Sequence, residues 1–191
     1  MAGADTTAAV VLAAGGSSRF GSPKPLERIA GEPFVARAVR IAAEAGCRPV
    51  VAVVHDAAVA LEAERAGSEV VFNEGWKDGI SSSIAAGIAR AAEDPAVEAA
   101  LILACDQVAV TARDLRNLRS AFDPSVFAAA AGYGDGAFGI PAIFVREAFP
   151  ALRALQGDAG AKSLLAAHRD RVRFVEMPNA ALDVDRPEDL I

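Results

Sequence analysis

Apolar positions along the chain fall into two rhythms. Short unbroken runs occur at Ala8–Ala13, Val50–Val54, Glu69–Phe72, Ala100–Ala104, Val126–Ala130, Ala142–Val145 and Arg173–Glu176. Between them, apolar residues recur at helical spacing over Val35–Ala45, Ala57–Ala66, Ser82–Ala92, Ala112–Phe122, Arg146–Leu155 and Ala161–His168. A strand that is apolar on both its faces must be covered on both, and strands alternating with helices favour parallel pairing. The pattern therefore predicts an α/β fold built on one doubly wound, mostly parallel sheet with helices on both faces. End signals agree: Pro33 opens one helix, Thr111 stands where an N-cap belongs, and Gly46 and Gly67 follow two helices as C-caps. Neither a linker-like stretch nor an internal repeat interrupts residues 1–191, so one domain is expected. In such sheets ligands bind beyond the carboxyl ends of the strands, and chemistry is sought there.

Composition narrows the classes. The chain is 53% hydrophobic, which supports a folded core, but much of this is alanine. The longest apolar runs, such as Ala99 to Cys105, have strand length, against the roughly 18 residues of a membrane span. Ala8 to Ala14 has Asp5 and no Lys or Arg before it, so it reads as a first strand and not as a signal peptide. A cytoplasmic protein without membrane partners is expected. With 25 acidic and 19 basic side chains the net charge is −6, which argues against a nucleic-acid binder. Cys47 and Cys105 lack metal-site or disulfide spacing and read as small buried hydrophobes. His55 and His168, the sole imidazoles, offer no recognisable nucleophile triad.

The first strand runs into Ala14-Gly15-Gly16-Ser17-Ser18-Arg19-Phe20-Gly21-Ser22-Pro23-Lys24. Glycines let backbone N–H groups approach an anion, hydroxyls add donors, and Arg19 and Lys24 neutralise charge, which together make a phosphate cradle. A Walker A loop fails because Ser22 follows Gly21 where Lys is required. The dinucleotide pattern fails at Ser17, and a nucleophile elbow fails at Arg19. An ordinary glycine-rich strand-to-helix turn fits the same composition. Charge favours the cradle: Arg19, Lys24, Arg28, Arg37, Arg40 and Arg48 face only Glu27, Glu32 and Glu44 between Gly15 and Arg48.

Later segments add candidates. Asp106 directly follows an apolar strand, where a carboxylate can hold Mg²⁺ or simply close a turn. Ser81, Ser82 and Ser83 follow Trp76 and Gly79, and can cap a helix or meet a base and ribose. Glycines between Tyr133 and Pro141 permit close backbone approach to a ligand. Asp158 either caps the next helix or faces a substrate. Near the end, Asp183 and Asp185 alternate onto one face of an extended segment, and Pro187 begins a helix whose first turn holds Glu188 and Asp189.

These segments resemble the MobA-like nucleotidyltransferases in order and over nearly the whole chain. Leu12 to Gly21 followed by Lys24 is similar to that family's LAAGxSxRMG…K signature, with Phe20 in place of Met. Cys105-Asp106-Gln107 stands at its Asp-Gln-Pro, with Val108 for the Pro. Gly79 to Ile84 resembles GMSSSL, Gly139 to Pro141 resembles GxP, and Gly157 to Lys162 resembles GDxGA[RK]. The tail resembles D-I-D-T-P-E-D-L. Within the family the likeness is closest to the molybdenum cofactor cytidylyltransferases.

The resemblance implies a Rossmann-like fold of the nucleotide-diphospho-sugar transferase type. It further implies transfer of CMP from CTP to a molybdopterin-type cofactor, with Mg²⁺ as cofactor and pyrophosphate released. Leu12, Ala13, Ala14, Gly15, Gly16, Ser17, Ser18, Arg19, Lys24, Gly79, Ser81, Ser82, Ser83 and Asp106 would hold the nucleotide. Arg19 and Lys24 would be catalytic, Asp106 and Asp185 metal ligands, and Gly139, Pro141 and Asp158 would face the acceptor. Ala14 stands where guanine-using relatives carry Gly, which favours the smaller pyrimidine. Transient contact with a molybdenum enzyme or its maturation factor would follow. Other readings are an NTP transferase with another phosphorylated acceptor, such as a sugar phosphate, and a non-catalytic carrier of the cofactor. His55-Asp56-Ala57-Ala58 is similar to a metal-binding motif of another cytidylyltransferase family. It precedes the base-binding loop instead of following it, so it reads as a strand-end turn.

Overall fold

The computed structural model describes residues 6–15 and 23–182. Seven strands form the main sheet: β1 (Thr6–Leu12), β4 (Val50–Val54), β5 (Glu69–Phe72), β6 (Val97–Ala104), β7 (Ala128–Gly134), β8 (Ala137–Val145) and β9 (Val172–Glu176). Their order is β5-β4-β1-β6-β8-β7-β9, and β2 (Arg28–Ile29) pairs with β3 (Glu32–Pro33) in a small separate ribbon. Pairs β1·β4, β1·β6, β4·β5 and β7·β9 are parallel, whereas β8 runs antiparallel to both β6 and β7. The expected mostly parallel, Rossmann-like sheet is thus present, with one reversed strand inserted.

That reversal has a local cause that the hydrophobic pattern did not register. Gly134 pairs with Ala137 across a two-residue turn, and both turn residues, Asp135 and Gly136, have positive φ (48° and 77°). An Asp-Gly pair in this geometry matches the twist of the strands it joins and closes a tight hairpin. The expected strands at Val126–Ala130 and Ala142–Val145 therefore extend toward each other, and the glycines between them serve the hairpin.

The strands carry small residues on alternating sides, and two cores result. Ala9, Val11 and Ala13 pack under α1 (Phe34–Glu44), α2 (Ala57–Arg65) and α4 (Ala112–Ala121). Ala8, Val10, Leu12 and Ala14 pack under α3 (Ile80–Ala92), α5 (Phe149–Arg153) and α6 (Ala161–Ala167). The helix expected over Arg146–Leu155 divides into a 3-10 turn at Arg146–Ala148 and the short α5. Thr111 and Asp114 form a reciprocal capping box on α4, and Asp56 caps α2 by accepting from the Ala58 and Val59 amides. Gly46 and Gly67 take positive φ just past α1 and α2, as their sequence placement predicts. No described helix is long and apolar enough to cross a membrane.

Alanine and glycine bring the helices close to the sheet. A Cβ on Gly87 in α3 would overlap Val10 of β1 and stand 2.9 Å from Val53 Cγ2. Helix propensity favours Gly→Ala by about 1 kcal/mol, but overpacking against stiff β-branched side chains costs about 1–3 kcal/mol. Overpacking wins, so Gly87→Ala is expected to lower the urea unfolding free energy by about 1–2 kcal/mol. Both thiols are buried, and burial pushes Cys47 up to about 11 and Cys105 further still. The thiolate is the reactive form, so native protein at pH 8 should show no fast-reacting thiol toward a disulfide reagent. Denatured protein should show both.

Candidate active site

β1 has β4 on one side and β6 on the other, so the sheet reverses its winding there and a crevice opens at the carboxyl ends. The last rungs hold it open: the Ala13 amide donates to Val53 O at 2.9 Å and the Cys105 amide to Leu12 O at 3.1 Å. Beyond them the chain diverges around a cavity of about 510 Å³. Leu12, Ala13, Ala14 and Gly15 form the wall that follows β1, and Ala104, Cys105 and Asp106 the wall that follows β6. Gly79, Ile80 and Ser83 close it at the start of α3, whose amino end faces the cavity and favours negative charge there.

Among the described residues, four charged side chains line this space: Lys24, Lys77, Asp106 and Asp158. Lys24 Nζ lies 2.7 Å from Asp106 Oδ2, joining the turn after the opening loop to the end of β6. Gln107 pins the turn that carries Asp106. Its Nε2 donates to Ile140 O and Ala180 O, both at 2.8 Å, while its Oε1 accepts from the Ala104 amide at 3.3 Å.

The serine run separates by role. Asn73, buried at the end of β5, donates to Ser82 Oγ (2.9 Å) and Ser83 Oγ (3.0 Å). Ser82 Oγ donates to Gly79 O at 2.8 Å, and the Ser81 amide donates to Gly157 O. Only Ser83 of the three lines the cavity, and α3 has Gly79 at its N-cap with no side-chain cap, contrary to the capping reading of the serines. Gly79 (φ 99°) is fixed twice over, because any Cβ would overlap Gly157 O and come within 2.8 Å of Asp158 Oδ1. This contact ties the start of α3 to the Gly157–Asp158 loop and brings Asp158 to the cavity. Asp158 does not cap α6, whose N-cap is Gly160.

Trp76 lines the cavity in the 3-10 turn Trp76–Asp78. His55 stacks on it with ring centroids 4.3 Å apart, and its Nδ1 is buried with no hydrogen-bond partner among the described residues. His55 therefore supports an aromatic wall, while neighbouring Asp56 caps α2.

Several sequence expectations change. Gly139 and Pro141 lie buried within β8 and do not line the cavity. Gly139 leaves room for the Tyr133 ring, whose hydroxyl donates to Ile140 O. The excess of cations near the start serves mainly structure. Arg28 donates to Gly31 O, Arg37 to Val110 O, Arg48 to Ala43 O and Cys47 O, and Arg40 pairs with Glu32 and Glu44. Of that group Lys24 alone lines the cavity among the described residues. Gly16, Ser17, Ser18 and Arg19 lie outside the described residues, as do Asp183, Asp185, Glu188 and Asp189. Asn73 and Lys77 were not singled out from sequence; an Asn directly after a strand and before a Gly was the available signal.

A crevice at the winding reversal, a helix amino end facing it, and a Lys–Asp pair on its rim suit a bound polyanion. The chain belongs to the family of the MobA-like NTP transferase domain, whose model matches residues 9–172. Among solved structures it is similar to Rv0371c from Mycobacterium tuberculosis H37Rv, at 30% identity and a TM-score of 0.81, covering 97% of this chain and 95% of that one. A manganese complex of Rv0371C superposes with a TM-score of 0.76 at 28% identity, covering 96% and 95%. The nucleotidyl transferase Mth528 of Methanothermobacter thermautotroptrophicus shares the fold at 24% identity and a TM-score of 0.78, covering 97% and 94%. The bifunctional protein GlmU of Syntrophotalea carbinolica is 47% identical over 70 residues, a match spanning 36% of this chain and 15% of that protein.

Gln107→Leu takes the side-chain donor from Ala180 O and the side-chain acceptor from the Ala104 amide, leaves Ile140 O with the Tyr133 hydroxyl, and frees the turn bearing Asp106. Each such group costs about 1–3 kcal/mol. The variant should lose about 2 kcal/mol or more in urea unfolding, a larger effect than an exposed substitution gives.

Proposed function

We propose that this protein transfers CMP from CTP to the terminal phosphate of a molybdopterin-type cofactor, releasing pyrophosphate. The observation that carries the reading is the Lys24–Asp106 pair at the mouth of the switch-point cavity, opposite the amino end of α3. A nucleotide laid there would have its base near Ala13, Ala14 and Trp76 and its phosphates toward Gly15 and Lys24. Ala14 is buried, and its methyl takes space that a purine needs, which favours CTP. Ser83 and the Gly79 backbone face the ribose side.

The donor set fits a hard divalent ion. One partly exposed carboxylate, Asp106, stands beside room for triphosphate oxygens, and Mg²⁺ prefers one or two carboxylates plus phosphates and water. Bound there, the ion would neutralise charge on the phosphates and favour departure of pyrophosphate. Asp106 would hold it, and we assign Asp185 as its second carboxylate. The manganese complex of the mycobacterial relative supports a divalent ion in this family's site.

The chain's own residues do the rest by position and charge. Lys24 presents an ammonium where the α-phosphate and the leaving pyrophosphate gather charge, and we assign Arg19 the same task. The bond formed joins an acceptor phosphate oxygen to the α-phosphorus. The bond broken runs from that phosphorus to the bridging oxygen, which leaves with the electron pair. Because the nucleophile is already anionic, the reaction needs no general base, in keeping with a cavity lined by no histidine. Asp158, brought to the cavity by Gly79 and Gly157, faces the acceptor side. We place the reaction in the cytoplasm, with hand-over of the product to a molybdenum enzyme or its maturation factor.

Pyrophosphate release from each NTP with Mg²⁺, with and without molybdenum cofactor, tests the reading. CTP with the cofactor should give the fastest release, and GTP should bind more weakly than CTP in direct titration. Asp106→Ala should lower turnover by about 100-fold or more. Unchanged metal-dependent turnover in that variant would overturn the metal assignment, and tighter binding of GTP would overturn the choice of base.

A further inference from the structure

Asn73 follows the last residue of β5, and its main-chain N–H donates to Val54 O at 2.8 Å, which anchors the backbone to β4. Its side chain is buried within reach of the hydroxyls of Ser82 and Ser83 in the first turn of α3. A side-chain amide can turn either its nitrogen or its oxygen toward a neighbour, and only the surrounding partners decide which. Here Ser82 decides. Ser82 Oγ lies 2.8 Å from Gly79 O, and a carbonyl oxygen only accepts, so the one hydroxyl proton of Ser82 is used there. The Asn73 atom 2.9 Å from Ser82 Oγ must then be the donor, Nδ2.

The same nitrogen has a second N–H, and Ser83 Oγ receives it at 3.0 Å. Ser83 is therefore an acceptor toward the protein, and its own proton is left to donate elsewhere. Among the described residues no group accepts that proton. Ser83 is 6% exposed and lines the main cavity, whereas Ser82 does not. A donor this deeply buried needs an acceptor, and the cavity is where one can enter. The polarity of the Ser83 hydroxyl is thus set from behind, by a residue that does not itself line the cavity.

We propose that Asn73 is a positioning residue for nucleotide selection: by donating to Ser83 it makes that hydroxyl a donor toward an acceptor oxygen beside the glycosidic bond. Two oxygens flank that bond in CTP, the ribose O2′ and the pyrimidine O2. The inference rests on the nucleotide reading of the cavity. A nucleotide lacking the oxygen leaves the Ser83 proton buried without a partner, and a site built around a hydrogen bond rejects the analogue that lacks it. Asn73→Asp keeps the shape and reverses the polarity. A carboxylate has no proton to give, so it accepts from Ser83 and draws the proton out of the cavity. Its charge would also repel phosphates, but that lowers affinity for every nucleotide alike, so the ratio between nucleotides is the readout.

Calorimetric titrations with Mg²⁺ compare CTP, 2′-deoxy-CTP and 2-thio-CTP on the full chain, Asn73→Asp, Ser83→Ala and the double variant. The parent protein should bind one analogue about 10-fold or more weakly than CTP. A loss with 2′-deoxy-CTP assigns the bond to the ribose, and a loss with 2-thio-CTP assigns it to the base. Each single variant should bring that ratio within twofold, and the double variant should match Ser83→Ala. Asn73→Leu, which removes the donor and adds no charge, should lower the ratio as well and serves where Asn73→Asp does not fold. Binding of all three nucleotides within twofold by the parent, or a parental ratio kept by the Asn73 or the Ser83 variants, overturns the proposal. The two readings fail separately. The expected ratios without CMP transfer to an acceptor sink the transferase assignment alone, and CMP transfer with equal binding of the three nucleotides sinks the role of Asn73 alone.

Discussion

The arrangement at the sheet edge depends on where the hydrogen-bond ladder of β1 stops. Up to Ala13 the strand is paired on both sides, and its residues are buried between two layers of helices. One residue further the neighbours on either side lead away in opposite directions, and backbone N–H groups have no strand to bond. A parallel ladder that ends between diverging connections leaves donors, helix amino ends and space together, which is the requirement for holding a polyanion. At Gly15 a Cβ would meet nothing within 4 Å among the described residues, and that open space belongs to the cavity it lines.

Charge at the cavity is balanced before any ligand enters. Lys24 and Asp106 come from distant parts of the chain and satisfy each other at 2.7 Å. Each is also suited to a partner that a metal–nucleotide complex would bring, the ammonium to phosphate and the carboxylate to the ion. Binding of such a complex would give each of the two charges a new partner, so neither would be stranded in the partly buried site. An unpartnered charge there would be costly, since desolvation is not repaid without a partner.

The sequence made the sheet legible because its central strands, β1, β4 and β6, are almost wholly apolar, which leaves no choice but burial on both faces. Asp106 and Lys24 were equally readable, being polar residues placed directly after apolar runs or within a glycine-rich turn. What was not readable has a common character: it depends on contacts between segments distant in the chain. Gly139 and Pro141 looked like a ligand motif until β8 placed them against Tyr133. The arginines between Arg28 and Arg48 looked like an anion field until their carbonyl and carboxylate partners were visible. Of the serine run, Ser82 is held by Asn73 and by the Gly79 carbonyl and Ser83 by Asn73, and the Asn73 contacts cross nine and ten residues of chain. The reversed strand was locally encoded, in Asp135-Gly136, but hydrophobic periodicity is blind to turn chemistry.

The alanine content bears on why aromatic side chains matter here. A sheet whose inner positions are Ala8, Ala9, Ala99, Ala100 and Ala128 to Ala131 brings its helices close and leaves little room for large rings between the layers. Phe34, Phe127, Phe138, Phe144 and Phe149 take what room there is. Trp76 and Phe174 are half-buried and pack against the rim of that core, at the edge where the main cavity and a smaller hollow beside Phe174 open. Neither fills the core, and each is held by a second group on its face, His55 for Trp76 and Arg169 for Phe174. Ordering a ring at a partly wet edge costs entropy that packing alone offsets poorly. A ring fixed in that position, with a cavity beside it, is accounted for by what it presents to the cavity.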